Sequence, residues 1–138
     1  MTVRQVMYAD WAMECCGTPF SVGDEVVWEA SPGAADDPED AGVLHVATHG
    51  AGGPDTRRVA GRVRSIRVVT DGFTVLPGTG EYRRAPGERS LRAVRTCPKW
   101  FRRSPAEGGR RRYETGVLVE VETSAEASVA TPMETSGG

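Results

Sequence analysis

Trp11-Ala12-Met13-Glu14-Cys15-Cys16-Gly17-Thr18-Pro19-Phe20-Ser21-Val22-Gly23-Asp24-Glu25-Val26-Val27-Trp28 decides how the rest of this chain is read. Gly23-Asp24 is a tight-turn pair. Val26 and Trp28 then alternate with Glu25, Val27 and Glu29, which is the period of a half-buried strand. An adjacent cysteine pair sits between aromatic anchors, and neighbouring thiols bring a reactivity that the fold must manage. The stretch points to β structure and to a candidate site at once.

Working outward, Val3 to Glu14 is rich in Val, Met, Tyr and Trp and suits a first strand with an irregular end. Asp24 to Ala30 is the second strand. Ser31 to Asp55 reads as a long Pro/Gly/Asp/Ala loop with one apolar patch at Val43-Leu44-His45-Val46. In the third strand, Arg57 to Thr70, Val59, Gly61 and Val63 share one parity while Ile66 and Val68 take the other. A slip near Arg64-Ser65 is what a β-bulge produces. Asp71-Gly72 reads as a turn before a short apolar piece, Phe73 to Leu76. Ser90 to Thr96 gives a fourth strand around Leu91 and Val94. The clearest strand is Tyr113 to Glu122, with Tyr113, Thr115, Val117, Val119 and Val121 pointing one way and Glu114, Glu120 and Glu122 the other. No stretch shows a sustained helical period, although Asp37 to Val46 could hold one turn.

This pattern predicts an all-β domain over residues 1–122, a small SH3-like (or OB-like), partly open β-barrel of about five strands. Residues 123–138 are read as a disordered tail, too polar to bury enough surface to order itself. The expected core comprises Trp11, Trp28, Val63, Ile66, Val117 and Val119.

The net charge of −2 conceals a segregation. Residues 1–55 carry ten acids and one base, residues 56–112 carry sixteen bases and four acids, and residues 113–138 carry five acids and no base. Either the basic block is a nucleic-acid footprint, or basic strands lie beside acidic ones and neutralise them within the fold. Sixteen arginines against one lysine also suggest a high-GC genome. No run is long and apolar enough for a membrane span, and the opening residues lack a signal-peptide pattern. Three cysteines form no disulfide framework, so a cytoplasmic protein with reduced thiols is expected.

Asp10-Trp11, Met13, Cys15-Cys16-Gly17, Pro19-Phe20, Val22-Gly23-Asp24, Val26 and Trp28 together resemble the opening of an uncharacterised actinobacterial family of small proteins. It is known from Streptomyces-type genomes as a domain of unknown function. His49-Gly50, Gly61-Arg62-Val63-Arg64-Ser65-Ile66, Pro77-Gly78-Thr79-Gly80 and the Gly116-to-Val119 strand extend the likeness over most of residues 8–122. The chain departs from that pattern in a shorter loop before His49 and in Thr48, where the family tends to have a second histidine. The resemblance implies fold and source; it implies no activity.

Two constellations could carry chemistry. Cys15, Cys16, His45 and His49 offer the thiolate and imidazole ligands that zinc prefers, but adjacent cysteines in a strand diverge unless a turn at Gly17 brings them to one ion. The same cysteines with His49 and Asp10 or Asp24 meet the type requirement for an activated thiolate, without spacing that shows they meet. Cys97, before Pro98, is read as incidental. The second constellation is the basic segment: Arg83, Arg84, Lys99, Trp100, Phe101, Arg102, Arg103, Arg110, Arg111 and Arg112 interleave cations with rings, as proteins that bind nucleic acid or other proteins do. If the segment is not exposed, Trp100 and Phe101 close the barrel and the arginines are solvated or neutralised. The reading adopted is a non-enzymatic binding or accessory module for an unknown protein or nucleic acid, acting through residues 83–112. The alternative is a zinc or thiol-redox site at Cys15/Cys16 and His49. No cofactor is expected beyond that zinc.

Overall fold

The computed structural model describes residues 2–47 and 55–123. The elements in chain order are β1 (Thr2–Ala9), α1 (Asp10–Cys16), β2 (Glu25–Pro32), β3 (Val43–Val46), β4 (Arg57–Val75), β5 (Tyr82–Arg84), β6 (Ser90–Val94) and β7 (Arg110–Thr123). The fold is all-β apart from one short helix. β2, β3, β1, β7 and β4 form a ring, because β2 also pairs with β4. Among the described residues only the β1–β3 pair is parallel. The 43–46 patch of the expected loop thus supplies a ring strand, β3.

β4 is the longest strand and has two halves. On one edge it pairs first with β2 through Arg57–Arg62, then with β6 through Ile66–Thr70, and last with β5 through Phe73–Val75. β7 runs along its other edge from Arg62 to Thr74. The register passes from Val63↔Val121 to Ser65↔Glu120, so Arg64 is the extra residue of a bulge where the parity slip placed it. A second shift, between Val69↔Gly116 and Thr70↔Glu114, leaves Thr115 extra on β7. Two glycines permit close strand approach. A Cβ on Gly61 would collide with the Glu122 carbonyl, and one on Gly116 with the Tyr8 carbonyl, the latter glycine also having a φ of 148°.

The ring interior is filled by Val6, Leu44, Val59, Val63, Ile66, Val68, Val117, Val119 and Val121. Burying an aliphatic side chain of this size contributes about 1.5–3 kcal/mol. Ala12, Met13, Phe20, Cys97 and Phe101 join this core, and Tyr8, Phe20 and Trp28 meet with centroids 5.0–6.1 Å apart. Trp28 is partly buried against the cluster. A smaller cluster, Met7, Val43, Val69 and Leu118, uses the opposite parity of the same strands.

Three expectations are corrected. The first strand ends at Ala9 and the chain turns into α1, whose N-cap Ala9 makes no side-chain capping bond and so leaves no polar start signal. In a helix Ala12 and Met13 face inward while Trp11 turns outward, 58% exposed, so Trp11 is not a core residue. Asp71-Gly72 is not a turn: β4 runs through it, with Asp71 only 3% exposed. Arg89 donates to both Asp71 carboxylate oxygens (2.8 and 3.0 Å) and the Thr115 hydroxyl to one of them (3.0 Å), which satisfies the buried charge. Of the expected tail 123–138, Thr123 ends β7 and residues 124–138 lie outside the described residues.

Candidate functional site

The end of α1 carries the cysteine pair. Cys15 and Cys16 are both exposed and are bonded to each other in a disulfide. This corrects the expectation of reduced thiols, and in this form neither sulfur is a thiolate ligand for zinc or a nucleophile. His45 stands elsewhere, on β3, its Nε2 hydrogen-bonded at 2.5 Å to Asp40, which also accepts the Ala34 N–H. His49 lies outside the described residues. The carboxylates named for an activated thiol are engaged, Asp10 by Arg103 and Asp24 by the Ser21 N–H. Among the described residues no group of three or more His, Cys, Asp or Glu could hold a metal ion. Cys97 is not incidental: it is 1% exposed in the ring core, its thiol donates to the Pro98 carbonyl (3.3 Å), and burial pushes its pKa up to about 12.

Much of the basic segment is spent inside the fold. The Lys99 ammonium donates to the Met13 and Gly17 carbonyls (2.8 and 3.0 Å), the C-terminal end of α1 where a cation is favoured. Phe101 is a core residue whose N–H donates to Glu14 (2.9 Å). Arg103 reaches Asp10 (2.7 Å) and Glu14 (3.0 Å), and its hydrogen bond holds the Glu14 carboxyl below the usual carboxylate range. Arg84 pairs with Asp37 and Glu39, tying the acidic 33–42 loop to β5. Trp100, between the two anchored residues 99 and 101, is 69% exposed, with the Lys99 ammonium 5.7 Å from its ring centroid. The Arg102 side chain is exposed while its N–H donates to Glu114. Arg83 is exposed and has no ion pair among the described residues.

The remaining arginines shape an open cleft of about 380 Å³ at the far end of β7, lined by Glu88, Ser104, Pro105, Glu107, Arg110, Arg111 and Arg112. Strand alternation sends Arg111 to the face opposite Arg110 and Arg112. The Arg111 guanidinium lies between two rings, 5.3 Å from Tyr82 and 5.2 Å from Tyr113, and donates to the Ser104 backbone carbonyl (2.8 Å). Tyr113 in turn stacks on Phe73 at 4.5 Å, and desolvation raises its phenol pKa. Arg110 pairs with Glu88 and depresses that carboxyl, while Arg112 donates to the Glu88 carbonyl (3.3 Å) and the Ser90 hydroxyl (3.2 Å). The rings of this site, Tyr82, Tyr113 and Phe73, were not singled out from the sequence. Tyr113 follows Arg111 by two residues on the clearest strand, and that shared parity was the available signal.

Among the described residues no helix is long and apolar enough to cross a membrane. Neither the curated proteins nor the solved structures contain a match to this chain. The pattern of the family of unknown function DUF6578 matches residues 2–123, and the chain belongs to that family.

Proposed function

We propose that this protein is a non-enzymatic binding module and that the 104–112 cleft takes an acidic segment of a partner protein. The observation that carries the reading is Arg111, packed against Tyr82 and Tyr113 in the lining of an open cleft that Arg110 and Arg112 also line. A guanidinium fixed against rings, with Nε on the Ser104 carbonyl and Nη1 on the Tyr82 hydroxyl, loses little side-chain freedom on binding and keeps Nη2 for a carboxylate. Tyr and Arg are the residue types that dominate binding energy at protein interfaces. Glu88 and Glu107 in the lining favour a peptide of mixed polarity over a polyphosphate backbone, which they would repel. Lys99, Arg84 and Arg103 do not line the cleft and are held by carbonyls and carboxylates of the fold, so they do not extend Arg110 to Arg112 into a continuous phosphate track.

The test is fluorescence anisotropy at low salt with two labelled probes of matched charge, a glutamate-rich peptide and an oligothymidylate. The peptide is expected to bind in a salt-sensitive way, and Arg111→Ala to weaken it several-fold while leaving the melting temperature close to that of the parent. Tighter binding of the oligothymidylate, no binding of the peptide, or equal peptide binding by Arg111→Ala would overturn the reading.

A further inference from the structure

We infer that Cys15–Cys16 is a thiol–disulfide exchange site, reduced by a dithiol and restored by an oxidised dithiol, in addition to any binding at the cleft. A disulfide stabilises chiefly by closing a loop in the unfolded chain, with a gain that grows with the length closed. A bond between sequence neighbours closes almost none, so stapling the fold does not account for it. Both residues are exposed, so an incoming thiolate has access to sulfur. The frame around the pair does not depend on the bond. Lys99 holds the Met13 and Gly17 carbonyls on either side of it, the Phe101 N–H and Arg103 hold Glu14, and Ala12 and Met13 anchor the helix in the core. The third cysteine, Cys97, is buried with a raised pKa, which confines exchange to the pair.

The chemistry balances with a dithiol as the two-electron donor. Its thiolate attacks one sulfur of the pair, forming a mixed disulfide and expelling the other cysteine as a thiolate. The second thiolate of the donor then attacks the donor's own bridged sulfur, closing the donor's disulfide and releasing the first cysteine. Cys15 and Cys16 end as thiols after taking protons from solvent, and the donor ends oxidised.

The full chain would be equilibrated across ratios of reduced to oxidised dithiothreitol, trapped with iodoacetamide and weighed intact. The expected result is a single reversible transition in which two carbamidomethyl groups appear together, both on residues 15 and 16, with Cys97 unmodified and the far-ultraviolet dichroism unchanged. Cys16→Ser should carry one group on Cys15 at every ratio. The inference is overturned if both cysteines remain alkylatable under fully oxidising ratios, because then no bond forms. It is equally overturned if the pair resists reduction until the dichroism shows the chain unfolding, because then the bond is structural.

Discussion

β4 is held by different forces along its two halves. Inside the ring, Val59, Val63, Ile66 and Val68 meet Val117, Val119 and Val121 in an apolar interior with no buried charge among them. Beyond the ring, from Thr70 to Val75, the same strand is held by Arg89 on Asp71 and by the Phe73–Tyr113 stack, and Arg111 lies over the Tyr113 ring. The first half depends on area removed from water, which is tolerant of direction and intolerant of lost volume. The second depends on charges and rings whose partners are specific, and there the cleft opens. The contrast explains how a chain with few aromatic residues divides its labour: the ring fixes the fold, and the polar extension supplies a surface.

That division can be broken by substitution. Phe20→Ala, which removes a ring packed against Tyr8 and Trp28 at the ring core, should cost about 3–5 kcal/mol in urea unfolding. A parent-like midpoint would show that the ring is not the seat of stability. Asp71→Ala should cost about 3 kcal/mol, the low end for one member of a buried pair, because Arg89 keeps some contact with solvent. The double change Asp71→Ala/Arg89→Ala should cost less than Asp71→Ala alone, and a double variant worse than the single one would show that Arg89 has work beyond the pair.

The smallest effect belongs to the clamp of Arg103 on α1. Arg103→Ala should lose less than about 1 kcal/mol, since the pair is partly exposed. Its signature is in pH. The Glu14 carboxyl is lowered in the folded protein, so its contribution is complete above the unfolded value of about 4.3 and is lost as pH falls through the lower folded value. The melting temperature of the parent should therefore fall more steeply in acid than that of Arg103→Ala. Parallel acid profiles would remove Glu14 from the account.

The parts that were legible in the sequence are those governed by local period. The Arg64 bulge and β7 could be read because alternation is sustained on both sides of the slip. α1 could not, because seven residues with an alanine N-cap carry neither a helical period nor a start signal, and the missed helix put Trp11 on the wrong side. The segregated charge did suggest internal neutralisation, and Asp10, Glu14, Asp37 and Glu39 do meet Arg103 and Arg84. Which acid meets which base is set by the order of strands around the ring, information no local window contains. The cysteine pair was visible at once, but its oxidation state was not, because two adjacent thiols and a bonded pair have the same sequence.

The place of β7 in the ring has a consequence for synthesis. β7 is the last of the described strands, and it lies between β1, the first of them, and β4, pairing Thr2 with Thr123 and Arg62 with Glu122. Translation runs from the amino terminus, so until β7 emerges the facing edges of β1 and β4 have no strand between them. Closure must wait for contacts distant in sequence, which makes for slow folding, and bare strand edges are templates for pairing with other chains. The nascent protein is most vulnerable to aggregation just before β7 is made, and a chain interrupted within that strand would stay so.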